Sequence, residues 1–145
     1  MTSHLRPTIV VSLLATVLLA HGALAAPSAF DGRWSVMLVC PDTTDKSGLV
    51  KGYEYTFPVS IREGAVLGEY GAPGHPASVF YAGQVGDDGT LEIKATGNTG
   101  RAEYSVGKVA QGTRYGYTMH GKLEGSSGQA TRRELRPCTA TFSRS

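Results

Sequence analysis

The sequence predicts an all-β protein: an eight-stranded antiparallel meander closed as a small barrel, with a two-sheet β-sandwich as the alternative. Three observations predict it. Apolar and polar residues alternate with period two along most of the chain, and the helical period is nearly absent. The alternating segments are short and are separated by clusters of Gly, Asp, Ser and Pro of hairpin length. Two cysteines, Cys40 and Cys138, stand at the end of the first segment and the start of the last.

The N-terminus comes first and is read as a targeting segment. Arg6 precedes an apolar run from Thr8 to Ala20, and His21-Gly22-Ala23-Leu24-Ala25-Ala26 follows, with small residues at Ala23 and Ala25. A basic lead, an apolar stretch and a small-x-small site in this order mark a secretory signal, with the cut expected after Ala25. Residues 1–25 are therefore read as signal peptide and 26–145 as one β-barrel domain. The alternative is a membrane anchor, but an apolar run shorter than about 18 residues spans a bilayer poorly. The expected location is the periplasm or the secreted fraction, with no membrane span after cleavage.

Strands are predicted over Arg33 to Cys40, Gly52 to Arg62, Ala65 to Tyr70, Ala77 to Val85 and Thr90 to Thr96. Three more cover Arg114 to Leu123, Gln129 to Arg136 and Cys138 to Ser143. The second is the clearest: Tyr53, Tyr55, Phe57, Val59 and Ile61 share one face, and Glu54, Thr56, Pro58 and Ser60 the other. Glu63-Gly64 reverses the chain tightly, and Gly86-Asp87-Asp88-Gly89 is a hairpin turn whose residues accept positive φ. The connection from Gly97 to Gly112 is long and punctuated by glycine. Several of the 19 glycines fall inside strands, where they permit the sharp coiling of a small barrel.

An even pair of cysteines in an exported chain reads as a disulfide. A Cys40–Cys138 bond sets the first and last strands side by side, which favours the barrel over the sandwich. Lys and Arg total 14 against 12 Asp and Glu, so the chain lacks the dense basic stripe that a nucleic-acid partner requires. Arg132, Arg133 and Arg136 cluster near the C-terminus and are read as a solvated strand surface relieved by Glu134.

Asp31-Gly32-Arg33-Trp34 and the segment Gly64-Ala65-Val66-Leu67-Gly68-Glu69-Tyr70 resemble the opening of calycin-type barrels, the lipocalins and avidins. The resemblance implies a meander barrel. It does not extend to biotin binding, because avidin pockets use several tryptophans and this chain has only Trp34. The chain from Phe30 to Cys138 also resembles a group of small uncharacterised exported bacterial proteins. That resemblance implies export and the cysteine pairing, and no activity.

No catalytic motif emerges. His75 and His120 form no H-x-H or H-x-x-x-H pair, so no zinc core is expected. Gly125-Ser126-Ser127-Gly128 is a turn and not a nucleophile elbow. The carboxylates are dispersed. Gly83 to Gly89 looks like a phosphate loop but joins two strands, whereas such loops open a helix. No cofactor, metal or catalytic residue is assigned, and the protein is read as leaning away from enzyme activity.

Tyrosine is the informative residue type. Tyr53, Tyr55, Tyr81, Tyr115 and Tyr117 lie on apolar strand faces and, with Trp34, are the candidate ligand pocket. The alternative is that they fill the core. Arg101, Tyr104 and Lys108 in the long connection are the candidate lid. The expected function is a non-catalytic binding module with a small-ligand pocket at one end of the barrel. The rival is a protein–protein module, such as an inhibitor of a secreted hydrolase, presenting Gly71 to Pro76 or Pro41 to Leu49. The partner is thus a small molecule or a secreted protein.

Overall fold

A computed structural model describes residues Pro27–Ser145. The signal segment and its cut site lie outside the described residues. Eight strands close into an antiparallel barrel. They are β1 (Gly32–Cys40), β4 (Tyr53–Arg62), β5 (Ala65–Tyr70), β6 (Ser78–Val85), β7 (Thr90–Asn98), β8 (Arg114–Glu124), β9 (Ser127–Arg132) and β10 (Cys138–Arg144). Each pairs with the next in the chain, and β10 returns to pair with β1 from Trp34↔Arg144 to Val39↔Thr139. Cys40 and Cys138 are disulfide-bonded just beyond that register. The barrel, not the sandwich, is the architecture, and closure leaves no free sheet edge.

Four short elements lie beyond the expected strands. A small hairpin, β2 (Thr43–Asp45) with β3 (Gly48–Val50), stands outside the barrel between β1 and β4. Two single 3-10 turns, Ala102–Tyr104 and Val106–Lys108, occupy the long connection between β7 and β8. The seventh barrel strand also runs from Ser127 to Arg132 and not from Gln129 to Arg136, so Ser127 and Gly128 belong to the strand and the turn narrows to Gly125-Ser126.

Period-two alternation fills the lumen. Trp34, Val36 and Leu38 of β1 meet Phe57, Val59 and Ile61 of β4, Leu91 and Ile93 of β7, Met119 and Leu123 of β8, and Phe142 of β10 in one buried core. The large side chains fit because some inward positions are glycine. A Cβ on Gly121 would stand 1.9 Å from the Gln129 carbonyl oxygen, and one on Gly97 would stand 2.0 Å from that of Ser78. Neighbouring backbone therefore runs where a side chain would be, and the strands coil tightly there.

One end of the barrel is sealed by the segment that enters β1. Phe30 and Trp34 are buried, and the Trp34 indole donates to the Phe30 carbonyl at 2.9 Å. The Arg144 guanidinium lies 5.1 Å from the Trp34 ring and donates to the Ala29 carbonyl at 2.7 Å. The Asp31 carboxylate accepts backbone N–H bonds from Glu63 (2.9 Å), Gly64 (3.2 Å) and Ser28 (3.1 Å). It thereby locks the plug to the β4–β5 turn. Partial desolvation pushes the Asp31 carboxyl up, but the three donors and Arg144 outweigh it and hold the group below its ordinary 3.8. A depressed folded pKa contributes stability above the unfolded value, and that stability is lost as pH falls through the folded one. Asp31→Asn is accordingly expected to lower the melting temperature at pH 7, with the gap to the parent closing below pH 3.8. Thermal scans of both proteins at the two pH values measure it, and a gap that does not change with pH contradicts the account.

Candidate functional site

The opposite end is open. In an antiparallel meander the end of one strand and the start of the next share a rim. Cys40, Tyr53, Tyr70, Ser78, Asn98, Arg114, Arg132 and Cys138 are such termini, so they ring one mouth. Above it lies a cavity of about 650 Å³ that opens to solvent, within the range of about 300–1,000 Å³ usual for small-molecule sites.

Tyr53 and Tyr55 on one wall and Tyr115 on the other form its lower part, backed by Tyr70 and Tyr117. Strands β4 and β8 are four steps apart in either direction around the barrel, and each carries a Tyr-x-Tyr-Thr segment. On β4, Tyr53 stacks on Tyr55 at 5.0 Å, and Tyr55 stacks on Tyr70 of β5 at 4.2 Å. On β8, Tyr115 and Tyr117 lie parallel at 5.9 Å. The Tyr115 hydroxyl donates to the Ser78 carbonyl at 2.9 Å, which fixes that ring against β6. Burial pushes the Tyr55 phenol up to about 12 and raises those of Tyr53, Tyr81, Tyr115 and Tyr117. These phenols remain protonated near neutral pH and act as neutral donors with flat apolar faces.

The long connection forms the upper wall. Its neck is zipped by Thr99 N–H to the Thr113 carbonyl and Gly112 N–H to the Thr99 carbonyl, both at 2.9 Å. Asn98 braces it with a 2.9 Å side-chain bond to the Gly112 carbonyl. Its tip is pinned to the β2–β3 hairpin. Gly107 N–H donates to Asp45 Oδ2 at 2.6 Å, Lys108 Nζ to the Leu49 carbonyl at 2.6 Å, and Lys51 N–H to the Glu103 carbonyl at 2.8 Å. Arg136 ties these parts together. Its guanidinium donates to the carbonyls of Pro41 (2.7 Å), Lys51 (2.6 Å) and Tyr104 (2.8 Å) and lies 4.9 Å from the Tyr53 ring.

The residues singled out by sequence divide as follows. Tyr53, Tyr55 and Tyr115 line the cavity, together with Arg101 and Tyr104 of the connection. Tyr81 and Tyr117 are set deeper in the lumen, where the Tyr81 hydroxyl donates to Met119 Sδ at 3.3 Å. Trp34 lies at the sealed end, because β1 runs from that end toward the mouth. Lys108 is turned onto the hairpin and does not line the cavity. Of the segments considered for protein contact, Gly71 to Pro76 is exposed, and Pro41 to Leu49 is held against the connection. Gly83 to Val85 end β6 and Gly86 to Gly89 form the β6–β7 hairpin turn, with the Asp88 carboxylate accepting from Thr90 N–H at 2.9 Å.

The C-terminal arginine cluster requires correction. Arg136 is 2% exposed, and Arg132 is half-buried with its guanidinium 4.3 Å from the Tyr117 ring. Only Arg133 answers to a solvated surface. Arg101, Arg114, Arg132 and Arg136 all line the cavity, and no Asp or Glu does. Arg101 faces Glu103 at 3.5 Å. Among the described residues, the other three have no carboxylate within ion-pair distance. The site thus offers aromatic faces, phenol and guanidinium donors, and a local positive charge. Comparison with protein-family models, curated proteins and solved structures finds no match to the chain, so its reading rests on this geometry and chemistry.

Proposed function

We propose that the protein is an exported, non-catalytic binding module that holds a small, flat molecule in the mouth of its barrel. The observation that carries the reading is the 650 Å³ cavity walled below by stacked tyrosines and above by a pinned connection. Tyrosine presents a large apolar face at little entropic cost and a polar tip that fixes orientation. The neck, hairpin and Arg136 bonds hold the walls in place before a ligand arrives, which reduces the cost of ordering on binding. The N-terminal signal pattern and the Cys40–Cys138 bond support action outside the cytoplasm.

Amide chemical shifts of the labelled protein, recorded with flat aromatic fragments of differing charge, test the proposal. Perturbations are expected to gather at Tyr53, Tyr55 and Tyr115 and along Asn98 to Val109. If no fragment moves those amides at millimolar concentration, the cavity is not a ligand site and the reading is wrong.

A further inference from the structure

We propose that the ligand class is an organic anion: a flat ring system bearing a carboxylate or sulfonate, its ring on the tyrosines and its acid group on Arg132 and Arg114. The inference rests on the binding role proposed above and adds the chemistry of the ligand.

The charge of the cavity is local and unbalanced. Across the whole chain basic and acidic residues nearly cancel, 14 against 12. Yet the cavity is lined by four arginines and no carboxylate. Two of the four are committed elsewhere: Arg136 to three backbone carbonyls, and Arg101 to Glu103 and the Tyr104 hydroxyl. Arg132 and Arg114 are not committed in that way.

Arg132 is placed to receive an acid group. It continues the inward series Gly128, Ala130, Arg132 at the end of β9, so the barrel aims it at the lumen. Its guanidinium lies over the Tyr117 ring, 4.3 Å from the centroid. Its one side-chain hydrogen bond among the described residues uses Nε, which donates to the Glu134 carbonyl at 3.0 Å. Both terminal Nη groups are left to donate, and a guanidinium fork matches a carboxylate or sulfonate. Arg114 opens β8 at an exposed, outward-facing position, where it borders both the rim of this cavity and an outer groove that it shares with Glu69, and it adds a second positive charge at the mouth. The neutral phenols nearby add no negative charge. An inorganic ion would use the arginines alone, whereas the stacked rings, Val106 and Val109 call for an apolar body on the ligand.

Two fluorescent probes separate the claims: 1-anilinonaphthalene-8-sulfonate, and its neutral counterpart N-phenyl-1-naphthylamine, which lacks the sulfonate. Both are titrated into the folded, oxidised protein at low and high salt. The sulfonate is expected to bind about tenfold tighter or better, as a charge-assisted hydrogen bond predicts, and to lose that preference as salt rises. In Arg132→Gln and Arg114→Gln the ratio of the two affinities is expected to fall toward one, and Arg132→Lys is expected to keep part of it. Unfolding curves verify that each variant is folded. Equal affinity of the two probes for the parent protein overturns the anion assignment and leaves the binding role standing. Failure of both probes to bind overturns the two together. An unchanged ratio in both glutamine variants also overturns the assignment.

Discussion

Replacing Cys40 and Cys138 together by alanine lowers stability by about 4–5 kcal/mol, on the chain-entropy estimate for a closed loop of about 100 residues. The bond spans a sequence separation of 98, so it encloses nearly the whole barrel and restricts the unfolded chain severely. The folded barrel does not depend on it for closure: the β1–β10 ladder still runs from Trp34↔Arg144 to Val39↔Thr139. The effect therefore falls chiefly on the unfolded state. Domains of this size are typically stable by about 5–15 kcal/mol, so the double variant is expected to remain folded with a small margin. Urea unfolding measures both parts. The midpoint drops, and the denaturant slope rises because the unlinked chain exposes more surface when unfolded. A loss below about 1 kcal/mol would mean that the oxidised and reduced unfolded states are similarly compact, which contradicts this explanation.

The same strand order explains how much of the molecule could be read in advance. Most of the barrel strands follow from period-two alternation, as in Tyr53 through Ile61 or Leu91 through Ala95, whereas β9 has one buried apolar residue, Ala130, and its bounds were legible only approximately. The β2–β3 hairpin was not legible, because two strands of three residues are too short to show a period. Alternation puts Trp34 on the same inward face as the tyrosines, because it assigns a face and not an end. Strand parity supplies the missing coordinate: Trp34 begins an odd-placed barrel strand and Tyr53 the next, so they occupy opposite ends. The pocket arginines were the least legible. Arg132 obeys the inward alternation of Gly128 and Ala130, a usable signal that the surface habit of arginine obscured. Arg136 lies beyond the strand, and its carbonyl partners are up to 95 residues away. No local pattern encodes such a clasp.

Arg136 is where the second large effect is expected. Its side chain makes four hydrogen bonds to three backbone carbonyls: two to Pro41, at 3.3 and 2.7 Å, and one each to Lys51 and Tyr104. These belong to three separate segments: the exit from β1, the link between β3 and β4, and the first 3-10 turn. Arg136→Met keeps much of the apolar stem but removes every donor. Each carbonyl left unsatisfied costs about 1–3 kcal/mol, and water from the open cavity offsets part of that, for a net loss of about 2–4 kcal/mol. The loss is expected to be localised. Hydrogen exchange should accelerate at Lys51, Tyr104 and Ser105, whose amides hold the hairpin and the turn, while Ile61, Val66 and Leu91 at the sealed end keep their protection. Arg136→Lys is not expected to restore the parent, because one ammonium lacks the planar fork that reaches three carbonyls at once. If the methionine variant matches the parent within about 0.5 kcal/mol, and those three amides remain protected, Arg136 is not the clasp. The cavity walls must then be held by the neck and hairpin bonds alone.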